Sequence, residues 1–217
     1  AAGFPALYVS GGAIARSLGY PDVGLTTFTE MQKRVEEIRA VTSLPLIVDA
    51  DTGYGNVINV LRTVRGFEAA GAAALHIEDQ VDPKRCGHYE QKELIAPRDM
   101  INKIRAAMDA RSNPATIIIA RTDARSVLGL NEAIDRANSY AQAGADVLFI
   151  EAPRSRQEIE RIASEVKAPL LINMFSGGKT PLIEKAELAA LGYRIMIVPS
   201  DLQRAAVRAM QRAAEQI

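Results

Sequence analysis

Seven short apolar runs, each followed by a longer stretch with helical spacing, constrain this chain more than any other feature. The runs are "ALYVSG", "LPLIVDAD", "AALHIED", "ATIIIARTD", "DVLFIEAP", "PLLINMF" and "RIMIVPS". Each is rich in Val, Ile and Leu and bounded by turn residues, the pattern of a strand buried on both faces of a parallel sheet. Helical spacing covers 28–40, 56–70, 97–111, 130–143, 155–166, 182–191 and 201–216. The phrases "FEAAGAAALHIE", "YAQAGADVLFIE" and the opening "AAGFPALYVS" repeat one joint, in which Ala-Gly closes a helix and a strand follows. Glycine supplies the left-handed residue that ends a helix.

Strict βα alternation fits a (β/α)8 TIM barrel or an open doubly wound sheet. An open sheet gathers its ligand groups at one switch point, whereas a barrel collects them from many strands around one rim. Here nearly every run ends on polar residues or glycine: Ser10 and Gly11, Asp49 and Asp51, Glu78 and Asp79, Arg121 and Asp123, Glu151, Asn173, Ser200. The expectation is an α/β (β/α)8 barrel, a single domain over residues 1–217. Because "AAGF" reads as the last turn of a helix with no strand before it, the first βα unit is expected to be absent from this chain. A seven-stranded variant would leave two strand edges unpaired.

With 26 basic and 26 acidic residues the formal net charge is +0. Nothing draws such a chain to nucleic acid or to an anionic membrane, so its partners are small molecules. A single cysteine excludes an intramolecular disulfide, and a reactive thiol suits a reducing compartment. The apolar runs fall short of the ~20 residues of a membrane span, and no leader is visible. A cytoplasmic location is expected.

Asp49 and Asp51, two apart in "VDADTGYG", point to the same side and repel unless a cation lies between them. Mg2+, with Mn2+ as the alternative ion, takes such hard oxygen ligands and keeps waters that a substrate can replace. An isolated D-x-D is more often a cap or turn pair, but Glu78 and Asp79 at the next strand end favour a metal. On the same rim Arg121 can grip a carboxylate, Asn173 can hydrogen-bond to an oxyanion, and Ser10, Gly11 and Gly12 offer a hydroxyl and N–H groups to an anion. His76, inside its strand, reads as a packing residue ahead of a ligand. In "DPKRCGHYE" the lone cysteine, Cys86, stands beside Lys84, Arg85, Gly87 and His88. A lone cysteine is commonly an inert packing group, but these neighbours suit a thiol activated by positive charge on a flexible loop.

Together "YVSGG", "LGYPDVG", "VDADTGYG", "HIEDQ", "PKRCGH", "ARTDA", "EAP" and "NM…GG.TP" resemble the isocitrate lyase and phosphoenolpyruvate mutase superfamily over essentially the whole chain. "KRCGH" is similar to its carbon–carbon lyase branch, since the mutases typically lack that cysteine. The resemblance implies that Asp49 and Asp51 hold Mg2+ with Asp22, Glu78 and water, and that Tyr8, Ser10, Gly11 and Gly12 hold the 2-oxyanion and carboxylate end of the substrate. Arg121, Glu151 and Asn173 would surround the cleaving bond. Cys86 would donate a proton from a mobile loop, with Lys84, Arg85 and His88 around it and Gly87 allowing closure. The implied reaction cleaves the C2–C3 bond of a 2-hydroxy dicarboxylate or tricarboxylate to a 2-oxo acid and a carboxylate. Tyr89, where methylisocitrate lyases commonly carry Arg, and "NMFSGGKTP" resemble the dimethylmalate- and oxaloacetate-cleaving members more, which favours a smaller substituted malate or oxaloacetate beside methylisocitrate. A phosphonate-forming mutase and an inactive barrel fragment are the rivals. Homo-oligomers are usual in this family.

Overall fold

The computed structural model describes residues 3–217. Its strands β1 (Leu7–Val9), β2 (Leu46–Asp49), β3 (Ala74–Glu78), β4 (Ile117–Thr122), β5 (Val147–Ile150), β6 (Leu170–Asn173) and β7 (Tyr193–Ile197) form one parallel sheet in strictly sequential order. A doubly wound sheet reverses its strand order part-way and is thereby excluded.

Side-chain parity shows that the sheet curls. Tyr8, Ile47, Ala74, Ile119, Phe149, Leu171 and Ile197 come from all seven strands and pack into one inner cluster. An open sheet could not bring β1 and β7 to a shared core. Among the described residues these two strands share no ladder, so the barrel is nearly closed. The alternate residues, such as Val48, Leu75, Ile118, Leu148 and Leu170, face outward into a second, larger core.

The helices supply the other side of that outer core. They are α1 (Gly11–Ser17), α2 (Phe28–Ala40), α3 (Val57–Ala69), α4 (Pro97–Ala110), α5 (Ala124–Val127), α6 (Leu130–Gln142), α7 (Arg156–Glu165), α8 (Lys185–Leu191) and α9 (Asp201–Ala214). Met31, Val35, Val64, Phe67, Met100, Ile104, Ile134 and Ile162 recur at helical spacing and bury against the sheet. Caps fix where the helices begin: Thr27 with Glu30, and Asn56 with Asn59, close reciprocal capping boxes.

The seven expected helices are present, with ends within a few residues. Two are additional, α1 and α5, seven and four residues long. The reading of the opening as a helix end falls on Ala1 and Ala2, which lie outside the described residues, while Gly3 has the left-handed φ of 79°. No helix among the described residues is long and apolar enough to cross a membrane.

Candidate active site

The parity that puts apolar side chains inside the barrel continues to the carboxyl ends of the strands, where the inward residues turn polar. Above Ile47 stands Asp49, above His76 stands Glu78, above Ile119 stands Arg121, above Phe149 stands Glu151, and above Leu171 stands Asn173. All five are buried. The site is therefore the top layer of the barrel interior.

Its acidic side is built on the first three strands. Asp49 accepts from Gly11 N at 3.0 Å, from Asp51 N at 3.2 Å and from the Tyr8 hydroxyl at 3.4 Å. Burial opposes its charge, but His76, Lys84, Arg121 and the Gly11 N–H outweigh burial and bring the carboxyl down to about 2. For Asp51 burial wins, with Asp49 and Asp22 adding repulsion, and the carboxyl rises to about 7 despite Lys84. Glu78 is raised in the same way, chiefly by burial and further by Asp123 and Asp51. Gly11 and Gly12 make room: an added Cβ would lie 3.0 Å from an Asp49 oxygen or 2.7 Å from an Asp22 oxygen.

These carboxylates are short of partners. Both Glu78 oxygens and Asp51 Oδ1 accept no hydrogen bond, although Arg121 lies 3.0 Å from Glu78 and Lys84 lies 2.8 Å from Asp51. Buried acceptors left this way fit a hard cation that they would share. Among the described residues no three His, Cys, Asp or Glu side chains converge closely enough to hold a metal alone. The donor set therefore suits an ion that keeps several waters, as Mg2+ does.

The basic side centres on Arg121. Its fork grips Asp123 at 2.9 and 3.1 Å, it reaches Glu78 at 3.0 Å and Glu151 at 3.4 Å, and it lies over the Phe149 ring at 5.3 Å. Asn173 Nδ2 lies 3.5 Å from both Glu151 oxygens and its Oδ1 is unpaired. His76 is the packing residue expected. Fully buried, it stacks on Tyr8 and bonds that hydroxyl at 2.8 Å from beneath the site.

The segment carrying Cys86 lies over this rim. An isolated bridge between Gln80 and Leu94 closes its base, and the Gln80 amide bonds both the N–H and the carbonyl of Arg85. Lys84 reaches down to Asp22 at 2.5 Å and Asp51 at 2.8 Å. Cys86 N donates to the Asp22 carbonyl at 3.2 Å. His88 accepts from Lys179 N at 3.2 Å through Nδ1, which leaves the proton on Nε2, 3.4 Å from Glu151.

Several expectations change here. The thiol is not activated by its neighbours: burial, then Asp22, raise Cys86 to about 11. Lys84 is committed to carboxylates, and the exposed Arg85 side chain turns to Gln91 at 3.3 Å. Gly87 lacks a left-handed φ, so conformational freedom does not explain it; its backbone lies so close to Arg121 and Glu151 that any Cβ would overlap them. The Gly11 N–H is spent on Asp49, and the Ser10 hydroxyl caps α1 by accepting from Ala13 N at 3.2 Å. Asp79 faces out of the barrel and bonds Thr122, Asp123 N, Tyr140 and Arg136. Tyr89 is 51% exposed. Sequence reasoning gave no role to Lys92 or Asp123, two buried residues paired at 2.7 Å.

A family model described as phosphoenolpyruvate phosphomutase matches residues 1–217. The chain belongs to the phosphoenolpyruvate mutase/isocitrate lyase superfamily. It is 49% identical over 209 residues to 2,3-dimethylmalate lyase of Eubacterium barkeri, covering 96% of this chain and 72% of that protein. To 2-methylisocitrate lyase of Aeropyrum pernix it is 50% identical over 215 residues, covering 99% and 69%. Among solved superfamily structures, a crystal structure of 2,3-dimethylmalate lyase superposes with a TM-score of 0.95 at 41% identity, over 99% of this chain and 73% of that one. A phosphonopyruvate hydrolase complexed with oxalate and Mg2+ gives 0.89 at 33% identity, over 100% and 75%. With its cysteine loop seated on the rim, this superfamily member is an enzyme of the carbon–carbon lyase kind.

Proposed function

We propose that this chain, as one barrel domain over residues 1–217, is a Mg2+-dependent lyase that cleaves the C2–C3 bond of a 2-hydroxy dicarboxylate, of the substituted malate or methylisocitrate type, to a 2-oxo acid and a carboxylate. The observation that carries it is the seating of Cys86-Gly87-His88 on the rim, with the Gly87 backbone against Arg121 and Glu151; burial pushes the thiol beside it up, to about 11. A general acid must arrive protonated.

Asp49, Asp51, Asp22 and Glu78 would hold Mg2+, partly through water. The bound ion would supply Lewis acidity that lowers the pKa of the substrate's 2-hydroxyl. Tyr8, Ser10 and the glycines after it border the end of the substrate that bears this hydroxyl. The hydroxyl proton passes to solvent, the oxygen becomes the carbonyl of the 2-oxo acid as the C2–C3 bond breaks, and the bond's electron pair leaves on C3 as a carboxylate-stabilised carbanion. Cys86 gives its S–H proton to that carbon, while Arg121 and the Nε2–H of His88 face the charge that develops. Glu151 lies between Asn173, at 3.5 Å, and His88, at 3.4 Å, at this end of the rim.

The identities to the two curated lyases are nearly equal, 49% and 50%, and favour neither substrate. The test is 2-oxo acid release from 2,3-dimethylmalate and 2-methylisocitrate, with oxaloacetate as a third arm, each with Mg2+ and with chelator. Mg2+-dependent release from a 2-hydroxy acid is expected. Release from none would overturn the reading, and cleavage of oxaloacetate alone would replace it.

A further inference from the structure

Lys92 has no part in the chemistry above, yet its side chain is 1% exposed. A buried ammonium is costly unless its donors are used. This one donates to the Gly87 carbonyl and, at 2.7 Å, to Asp123 Oδ1. Gly87 is the residue between Cys86 and His88, whereas Asp123 follows β4 and holds the Arg121 fork through both its oxygens, at 2.9 and 3.1 Å. One side chain therefore ties the backbone of the cysteine segment to the cation at the centre of the rim.

Two features separate this arrangement from ordinary structural pairing. The barrel has its own network at this corner, in which Asp79 bonds Thr122, Asp123 N, Tyr140 and Arg136 without Lys92. And Asp123 has a second cationic partner in Arg121, so its charge does not depend on Lys92 alone. The effect of the Lys92 contact falls on where Cys86 and His88 stand.

We propose that Lys92 is a positioning residue, whose ammonium fixes the Gly87 carbonyl against the Arg121–Asp123 pair and so sets the placement of Cys86 and His88 over the rim. The catalytic consequence rests on the lyase reading; the structural one does not. The test uses the whole chain with Lys92→Met. Amide exchange over residues 84–90, measured without ligand, should quicken by about tenfold or more while the strands keep their protection. Turnover should fall by about 10²-fold, as for a displaced reacting group, with calorimetric Mg2+ affinity within a few-fold of the parent. Unchanged exchange over 84–90, or an even rise across the barrel, would overturn the proposal. If Lys92→Met does not fold, the unmodified protein decides. Acetylation mapped by mass spectrometry should reach Lys92 far more slowly than the exposed Lys33 and Lys167, and equal rates would overturn the proposal. A parent inactive on every substrate sinks the lyase reading alone, since the exchange and acetylation results still decide the role of Lys92.

Discussion

A thiol that keeps its proton to about pH 11 is a poor nucleophile at neutrality and a competent acid. Cys86→Ala should therefore lose about 10²-fold in turnover while calorimetric Mg2+ binding is retained, since the thiol is not among the ion's proposed donors. Alkylation by iodoacetamide has a definite sign in pH: burial raises the pKa, so the thiolate is scarce at pH 7–8 and the labelling rate should climb until about pH 11. Labelling that levels off near pH 8.5, the ordinary thiol value, would refute that environment. The motif was legible in the sequence, but its electrostatics were not. Lys84, Arg85 and His88 flank Cys86 in the chain, yet their side chains go to Asp22 and Asp51, to Gln91, and to Glu151. In an irregular segment adjacency does not fix direction, whereas on a strand it does. That is why Asp49, Glu78, Arg121, Glu151 and Asn173 could be placed on one rim from spacing alone, and why Lys92 could not.

At the level of elements, the turn through Gly87 is shaped by what lies beneath it. Gly87→Ala meets no φ penalty but places a methyl into Arg121 and Glu151. It should hold the segment off the rim, with turnover down at least as far as in Cys86→Ala and the denaturation midpoint nearly unchanged. Asp79 is the opposite case. It ties the end of β3 to β4 and α6 through Thr122, Asp123 N, Tyr140 and Arg136. Asp79→Ala would take the buried acceptor from Thr122, Asp123 N and Tyr140 while Arg136 keeps Glu132 at 2.8 Å, so about 1–3 kcal/mol of stability should be lost in urea denaturation with Mg2+ affinity little changed. Strands and long helices were legible because their periods repeat. The seven residues of α1 and the four of α5 complete too few turns to show one, whereas Asp79, one residue beyond β3, keeps the parity of Leu75 and Ile77 and so faces the outer side, off the rim.

For the whole molecule, the two concentric cores carry different loads. Phe149 lies in the inner one, under Arg121 and edge-on to His76; Phe67 lies in the outer one against Phe28 and Tyr54. Each truncation to Ala should cost about 3–5 kcal/mol, measured by urea denaturation. Only Phe149→Ala should also disturb the site, seen as weaker Mg2+ binding in calorimetry, because the floor beneath Arg121 and His76 goes with it. Sequential strand order and seven strands were legible as a barrel, since polar strand ends recur along the chain. Among the described residues the gap between β1 and β7 lies where the expected first βα unit would stand. Along β2, β4, β5 and β6 the inward positions change from apolar to polar at one level, as from Ile119 to Arg121 and from Leu171 to Asn173. Selection for a new substrate can therefore act on a single storey of the building: libraries confined to that upper tier should yield folded proteins at high frequency, while the same number of changes one storey down should mostly yield none.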